Sequence, residues 1–319
     1  MNNSFLWHFP LDRPHCGIAL ANGRQGVLMW GAETLCLTIA RAGFWDRRAG
    51  KPFGSDMTFS QVRALLESAD EAGLSAVFAI DSKPGVPGTP MQIGGGRLEI
   101  IFPEGLIPVR GELFYADARV EITLKNGDGK TSILTITQNR EHEVTQIIFS
   151  DVEILNNSQV RLHPSWEWVG EHLQHWNYLP PTTFETSDGN GFVQSVPENE
   201  SLALAWNRIG NTVSITTALD ASPEKAQNAS CILAEHPPEY SDKFWKEYWN
   251  DTPRISLPDA DLQKFWELAL YKQAGMTPPD GVAAGLQGAW MEEYQLPPWS
   301  NDYHFNINVQ LIYYPALMT

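Results

Sequence analysis

The chain has 319 residues, 43% of them apolar, enough for one large all-β domain plus part of another and too many for wholesale disorder. With 22 basic against 38 acidic residues the net charge is −16, which argues against nucleic acid or an anionic membrane surface as a partner. Cys16, Cys36 and Cys231 are too scattered for a disulfide framework or a zinc site, and no stretch approaches the roughly 20 apolar residues of a membrane span.

The N-terminus, "MNNSFLWHFPLDRPH", lacks the basic start and apolar run of a signal peptide, so the expected location is cytoplasmic. From there to about residue 236 the chain reads as short strands between turn signals. "GVLMWG", "TLCLTIA", "RLEIIF", "ARVEITLK", "TSILTITQ", "VTQIIF", "SLALAWN" and "TVSITTAL" are rich in β-branched and aromatic residues. Val120, Ile122 and Leu124 alternate with polar neighbours, the period of a half-buried strand. Asn126-Gly127-Asp128-Gly129 between two such runs predicts a hairpin, because these residues tolerate positive φ. Many strands at this spacing predict an antiparallel sandwich.

One helix is expected within it. "TFSQVRALLESADEAG" puts Val62, Leu65, Leu66 and Ala69 on one face, with Gly73 as a stop, and predicts a helix over Phe59–Glu71. Gly94-Gly95-Gly96 is no phosphate cradle, since no Gly-Lys-Ser/Thr follows and a strand comes next; it reads as a turn. His172 and His175 are three apart, with His163 nearby, the wrong spacing for a helical metal site, and satisfied or exposed histidines are expected. No metal ligand and no cofactor is predicted. Trp166, Trp168, Trp176 and Tyr178 around them fit a sugar surface or a loop packed across the sandwich. The 12 tryptophans of the whole chain bear on the same choice: an indole face packs well on the C–H face of a pyranose, and sandwich cores also use Trp.

After "EHPPEYS" the character changes. "SDKFWKEYWND" places Phe244, Trp245, Tyr248 and Trp249 on one face of a short linker helix closed by Pro253 and Pro258. "DADLQKFWELALYKQAG" predicts a helix capped at Asp259 or Asp261, burying Leu262, Phe265, Trp266 and Ala269 and ending at Gly275. These features divide the chain into a sandwich (1–236), a helical linker (237–258) and the start of a helical domain (259–319). Glu292 and Glu293 are adjacent and diverge on any regular element, whereas glycoside hydrolysis needs carboxyls facing each other across roughly 5–9.5 Å. They are expected to be solvated or structural. Asn306 and Asn308 in "FNINVQLIYYP" either cap a helix or hold a water. An amide cannot take a proton at neutral pH, so in the second role it needs a polarising carboxylate and a separate acid; neither is identifiable in the sequence.

"GAWMEEYQLPPWSNDYHFNINVQLIYYPAL" resembles the opening of the catalytic barrel of glycoside hydrolase family 95, the α-L-fucosidase and α-L-galactosidase family. The family pattern runs Gly-Leu-Trp, Pro-Pro-Trp, then Tyr/Trp-His/Thr-x-Asn-x-Asn-x-Gln and Tyr-Trp-Pro. "IALANGRQGVLMWG", "TFSQVRALLES", "MQIGGGRLEIIF" and "VRGELFYADARVEI" resemble its earlier strands and inserted helix. The resemblance implies a mainly β fold: a large antiparallel super-β-sandwich, a helical linker and the first helices of an (α/α)6 barrel. It implies an inverting enzyme cleaving α-linked L-fucose or a related L-sugar, a carbohydrate substrate, and a barrel continuing past Thr319. Asn306 and Asn308 match the family's water-holding asparagines and His304 a sugar-binding histidine, with Trp299 and Tyr303 as further candidate substrate-binding residues. The family's general acid and amide-activating carboxylate lie further along the barrel, so this chain alone is expected to be inactive. Where the family has Asn-Glu-x-x-Trp, on the sandwich face approaching the sugar, this chain has "IARAGFWDRR". Two other readings are a related sandwich-plus-barrel glycosidase or phosphorylase, and a non-catalytic carbohydrate-binding sandwich. Phosphate dependence separates the first of these; the coding sequence beyond Thr319 separates the second.

Overall fold

The structure is a computed structural model describing residues 4–50, 54, 57–79 and 83–317. In chain order the elements are β1 (Ser4–His8), β2 (Ile18–Ala21), β3 (Gln25–Gly31), β4 (Thr34–Arg41), β5 (Trp45–Asp46), α1 (Phe59–Glu67), α2 (Glu71–Phe78), β6 (Met91–Gln92), β7 (Gly96–Ile101) and β8 (Ile107–Phe114). Then come β9 (Arg119–Lys125), β10 (Thr131–Gln138), β11 (Val144–Phe149), α3 (Val152–Asn156), β12 (Gln159–Pro164), α4 (Trp166–His175), β13 (Thr182–Thr186), β14 (Gly189–Ser195), β15 (Ser201–Ile209) and β16 (Thr212–Asp220). The C-terminal third is helical: α5 (Pro223–Glu235), α6 (Lys243–Asp251), α7 (Ala260–Met276) and α8 (Asn308–Tyr313).

Two antiparallel sheets make the sandwich. The larger has nine strands in the order β1-β8-β9-β10-β11-β16-β15-β14-β13, the smaller five in the order β12-β7-β4-β3-β2. Their inner faces follow the alternation read from the sequence. Val120, Ile122 and Leu124 of β9 are fully buried and join one core with Leu35, Leu37 and Ile39 of β4 and Leu98 and Ile100 of β7. The hairpin at 126–129 forms: Gly129 has φ 85°, and its N–H donates to the Asn126 carbonyl at 3.0 Å.

Gly94–Gly96 is not a turn. Its last residue already pairs in β7, and a Cβ there would lie 2.3 Å from the His163 carbonyl oxygen, so the glycine serves a close strand approach.

Within the sandwich segment helices are more numerous than the single one expected there. The predicted Phe59–Glu71 helix stops at Glu67. Ala69 takes φ 53°, and Asp70 then starts α2 by accepting the Gly73 N–H at 2.8 Å, which puts the supposed stop inside a second helix. Neither helix of this hairpin buries a residue. The Trp166–His175 stretch, open between a sugar surface and a packed loop, is a helix whose Val169 and Leu173 are buried with Phe44 and Ile93. On the outer face of the nine-stranded sheet α5 packs through Ala226, Ser230 and Ala234. Such small residues let it sit close to β16, where the Thr216 and Ser230 hydroxyls are 2.8 Å apart, and they also leave no apolar stripe to read.

In α7 the cap is as expected: Asp259 accepts the N–H groups of Asp261 and Leu262. Its buried face is not. Of the expected residues only Trp266, half-buried, packs against the core; Leu262 and Phe265 are 58% and 61% exposed, Ala269 is exposed, and Leu270, Tyr271 and Ala274 turn inward. Tyr271 decides the orientation. Its ring stacks on Trp245 of α6 at 5.0 Å, and its hydroxyl donates to the Ala19 carbonyl of β2 at 3.0 Å.

Candidate functional site

Beyond α7 the chain crosses the outer face of the five-stranded sheet as an irregular strap. Gly26 admits it, since a Cβ there would lie 2.1 Å from the Ala289 carbonyl oxygen. The Trp290 indole then donates to the Leu20 carbonyl at 2.8 Å. Glu293 goes inward: it accepts from Arg97 of β7 and from Thr38 of β4, both at 2.9 Å, and is 3% exposed. Burial pushes its carboxyl up, with Arg97 and the Thr38 hydroxyl pulling it back. Glu292 pairs with His15. The two carboxylates diverge as the sequence implied, and both are structural; neither is freely solvated.

The strap ends in a knuckle. Trp299, Ser300 and Asn301 take φ of 49°, 60° and 57°, three consecutive non-glycine residues in the left-handed region. Each such residue costs on the order of 1 kcal/mol or more and persists only where the surroundings over-determine it. Here Asn301, fully buried, donates to the Gln92 side chain of β6 and accepts the Gln287 N–H at 2.6 Å, while the Ser300 and Thr89 hydroxyls are 2.8 Å apart. The knuckle throws the Trp299 indole outward, where it is 68% exposed and stacks on His304 at 4.9 Å and 24°.

A cavity of about 960 Å³ opens beside it. One wall is sandwich: Gly43, Trp45 and Arg47 around β5, and Thr89 and Pro90 before β6. The other wall is Val282, Trp299, Ser300, Asp302, Tyr303 and His304. Trp45 stacks on Tyr303 at 5.9 Å and 27°, so the walls meet ring to ring. His304 Nδ1 lies 3.2 Å from the Asp302 carboxylate, which fixes the imidazole. Burial pushes the Tyr303 phenol up, leaving it a neutral donor at physiological pH. The cavity thus offers flat aromatic faces with a few polar tips. Such a surface grips a ring with apolar and hydroxylated faces.

Of the residues picked out in the sequence, Trp299, Tyr303 and His304 are brought together in this cavity. Asn306 sits in the exposed turn that follows, and Asn308 opens α8, half-buried; the lining stops at His304. The Tyr313 hydroxyl of α8 accepts the Ala284 N–H at 2.9 Å and ties that helix to the start of the strap. Trp45, Arg47 and Asn301 were not picked out. The departure at "IARAGFWDRR" was the available signal for the first two; Asn301 had none, because its role depends on a partner 209 positions away. His163 is satisfied between Glu99 at 3.2 Å and Glu167 at 2.9 Å.

Residues 256–319 match the family model of the glycosyl hydrolase family 95 catalytic domain. The chain is also similar to a solved structure named "Putative kojibiose phosphorylase from human microbiome", with a TM-score of 0.54 at 11% identity over 92% of this chain and 45% of that one. At that identity the likeness is one of fold, and the chain spans less than half the length of that protein. No curated protein matches the sequence. Fold and site together define a β-sandwich protein with an aromatic-lined cavity. One wall of that cavity lies within the stretch, 256–319, that is similar to the glycosyl hydrolase family 95 catalytic domain.

Proposed function

We propose that the chain is the sandwich, linker and first barrel helices of an inverting glycoside hydrolase acting on α-linked L-fucose or a related L-sugar. The observation that carries this reading is the cavity. Its outer wall comes from the segment that matches the family 95 catalytic domain, and its inner wall is a sandwich tryptophan stacked against it. Its volume lies within the roughly 300–1,000 Å³ of small-molecule sites. Trp45, Trp299 and Tyr303 lie against the sugar's C–H faces, and His304, held by Asp302, hydrogen-bonds a hydroxyl. Asn306 and Asn308, just past this wall, hold the attacking water. The carboxylate that polarises the amide and the acid that protonates the leaving oxygen come from the barrel beyond Thr319. General acid–base help is worth about 10²–10⁴ per group, so this chain alone binds sugar without turning it over.

The test has two arms. Methyl α-L-fucoside is titrated into the 319-residue chain with tryptophan fluorescence as readout, and Trp45→Ala is expected to abolish binding. Aryl α-L-fucoside and α-L-galactoside are then assayed with this chain and with a longer reading frame, the latter also as Asn308→Ala. Expected are no hydrolysis by the short chain, hydrolysis by the long one, and its loss on Asn308→Ala. Turnover by the short chain, or full activity of the long Asn308→Ala variant, would show the chemistry to be elsewhere. A requirement for phosphate would move the reading to a phosphorylase of the same architecture.

A further inference from the structure

The same cavity carries a cationic side chain, Arg47, that a neutral sugar leaves unused. Along the short strand β5 and its continuation, side chains alternate. Asp46 and Arg48 face inward and close on each other at 2.7 Å, with the Tyr178 hydroxyl on Asp46 at 2.9 Å. Trp45 and Arg47 face the cavity. The neighbouring arginines are committed: Arg41 grips Glu143 through two bonds of 2.7 Å, and Arg97 holds Glu293 at 2.9 Å. Arg47 is held only loosely. Its Nη2 lies 3.9 Å from a Glu200 carboxylate oxygen, at the outer limit of an ion pair, and 3.5 Å from the Gly43 carbonyl, and the side chain is 58% exposed. Exposed pairs at such distances contribute about 0–1 kcal/mol, so Glu200 is a weak competitor for the guanidinium. The cavity's own carboxylate, Asp302, is turned onto His304.

We propose that the sugar bound here carries an acidic group, a carboxylate or a sulfate ester, and that Arg47 reads it. This rests on the carbohydrate reading above and narrows its substrate class. The planar guanidinium fork matches both anions bidentately, and the adjacent Trp45 indole fixes the ring that bears the group. The whole chain carries −16 and repels anions at long range, so an acidic ligand needs a local cation at the contact. Glu200, 3.9 Å away, competes with the ligand only weakly.

Two matched pairs of probes test this by tryptophan fluorescence and calorimetry: methyl α-L-fucoside against its sulfate ester, and methyl α-L-galactoside against the corresponding galacturonide. At least one acidic probe should bind about tenfold more tightly than its neutral parent, the effect of a charge-assisted hydrogen bond, and high salt should erode the advantage. Which acidic probe gains tells carboxylate from sulfate. Arg47→Met should bring each acidic probe down to the affinity of its neutral parent measured on the same variant, and Glu200→Gln should raise acidic-probe affinity a few-fold. Both side chains are exposed, so matching thermal melts will show the variants folded. Equal binding within both pairs, or a preference that survives Arg47→Met, overturns the proposal and leaves the carbohydrate reading standing. If no probe of either kind binds, the carbohydrate reading falls and this proposal with it.

Discussion

Glu293 shows how residue type and environment part company. Beside Glu292 in the sequence it reads as either solvated or structural; in the fold it is the buried anchor of the strap, closed on Arg97 and Thr38. Arg97 is itself sandwiched by the Trp168 and Trp30 rings at 4.6 and 5.6 Å and paired to Glu99 at 3.1 Å. Removing one partner of a buried pair leaves an uncompensated charge. Arg97→Met should therefore cost about 3–5 kcal/mol in urea unfolding, well beyond the loss of its packing. Lys272 is the opposite case. It lines a second cavity of about 280 Å³ between α7 and the strap, and burial lowers its ammonium from the ordinary 10.5. Between that lowered value and 10.5 the unfolded chain binds more protons than the folded one, so this group's contribution to stability rises with pH through that window. Lys272→Met removes a penalty that is fully present below the window. The variant should be the more stable at pH 7, and its advantage should narrow as pH approaches 10.5, read from urea midpoints of the two proteins measured side by side.

At the scale of elements, strands such as β7 and β9 follow from alternation because one face is buried and the other is half-exposed. The helices follow less well. The apolar stripe chosen for α7, Leu262–Phe265–Trp266–Ala269, is as regular as the one the fold buries, and the choice falls to Tyr271, which finds Trp245 and the Ala19 carbonyl. A pair of substitutions checks which face matters. Leu262→Lys should leave stability within about 0.5 kcal/mol, as exposed sites do, whereas Leu270→Ala should cost about 2–5 kcal/mol. Helix α1 makes the same point from the other side. Its capping box at Thr58 and Gln61 forms, yet Leu66 stays 60% exposed, since neither helix of the hairpin buries a residue. A local signal starts a helix; only a partner decides what it buries.

For the whole molecule, we propose to read 1–236, 237–258 and 259–319 as sandwich, linker and barrel start, bound into one cooperative unit. The apolar core supports this, since Trp245, Trp249, Leu270, Tyr271 and Ala274 belong to the same cluster as Leu37, Ile100 and Val120. The Trp249 indole donates to the Tyr115 carbonyl at 2.6 Å, and Tyr115 packs on Tyr271 at 5.8 Å. Unfolding should therefore be a single transition, with far-ultraviolet circular dichroism and tryptophan fluorescence sharing one midpoint; a separate early loss of helix would show α6 and α7 to be independent.

The sequence by itself determined the antiparallel sandwich, the hairpin at 126–129 and a helix cap at Asp259 or Asp261, of which the first forms. Each of these is written in neighbours a few positions apart, where side-chain period, turn chemistry and capping act. The tertiary structure decided the buried face of α7, the inward turn of Glu293, the left-handed knuckle and the sandwich half of the cavity. Those depend on contacts such as Thr38 with Glu293, 255 positions apart, and no local pattern encodes a partner that only folding brings near.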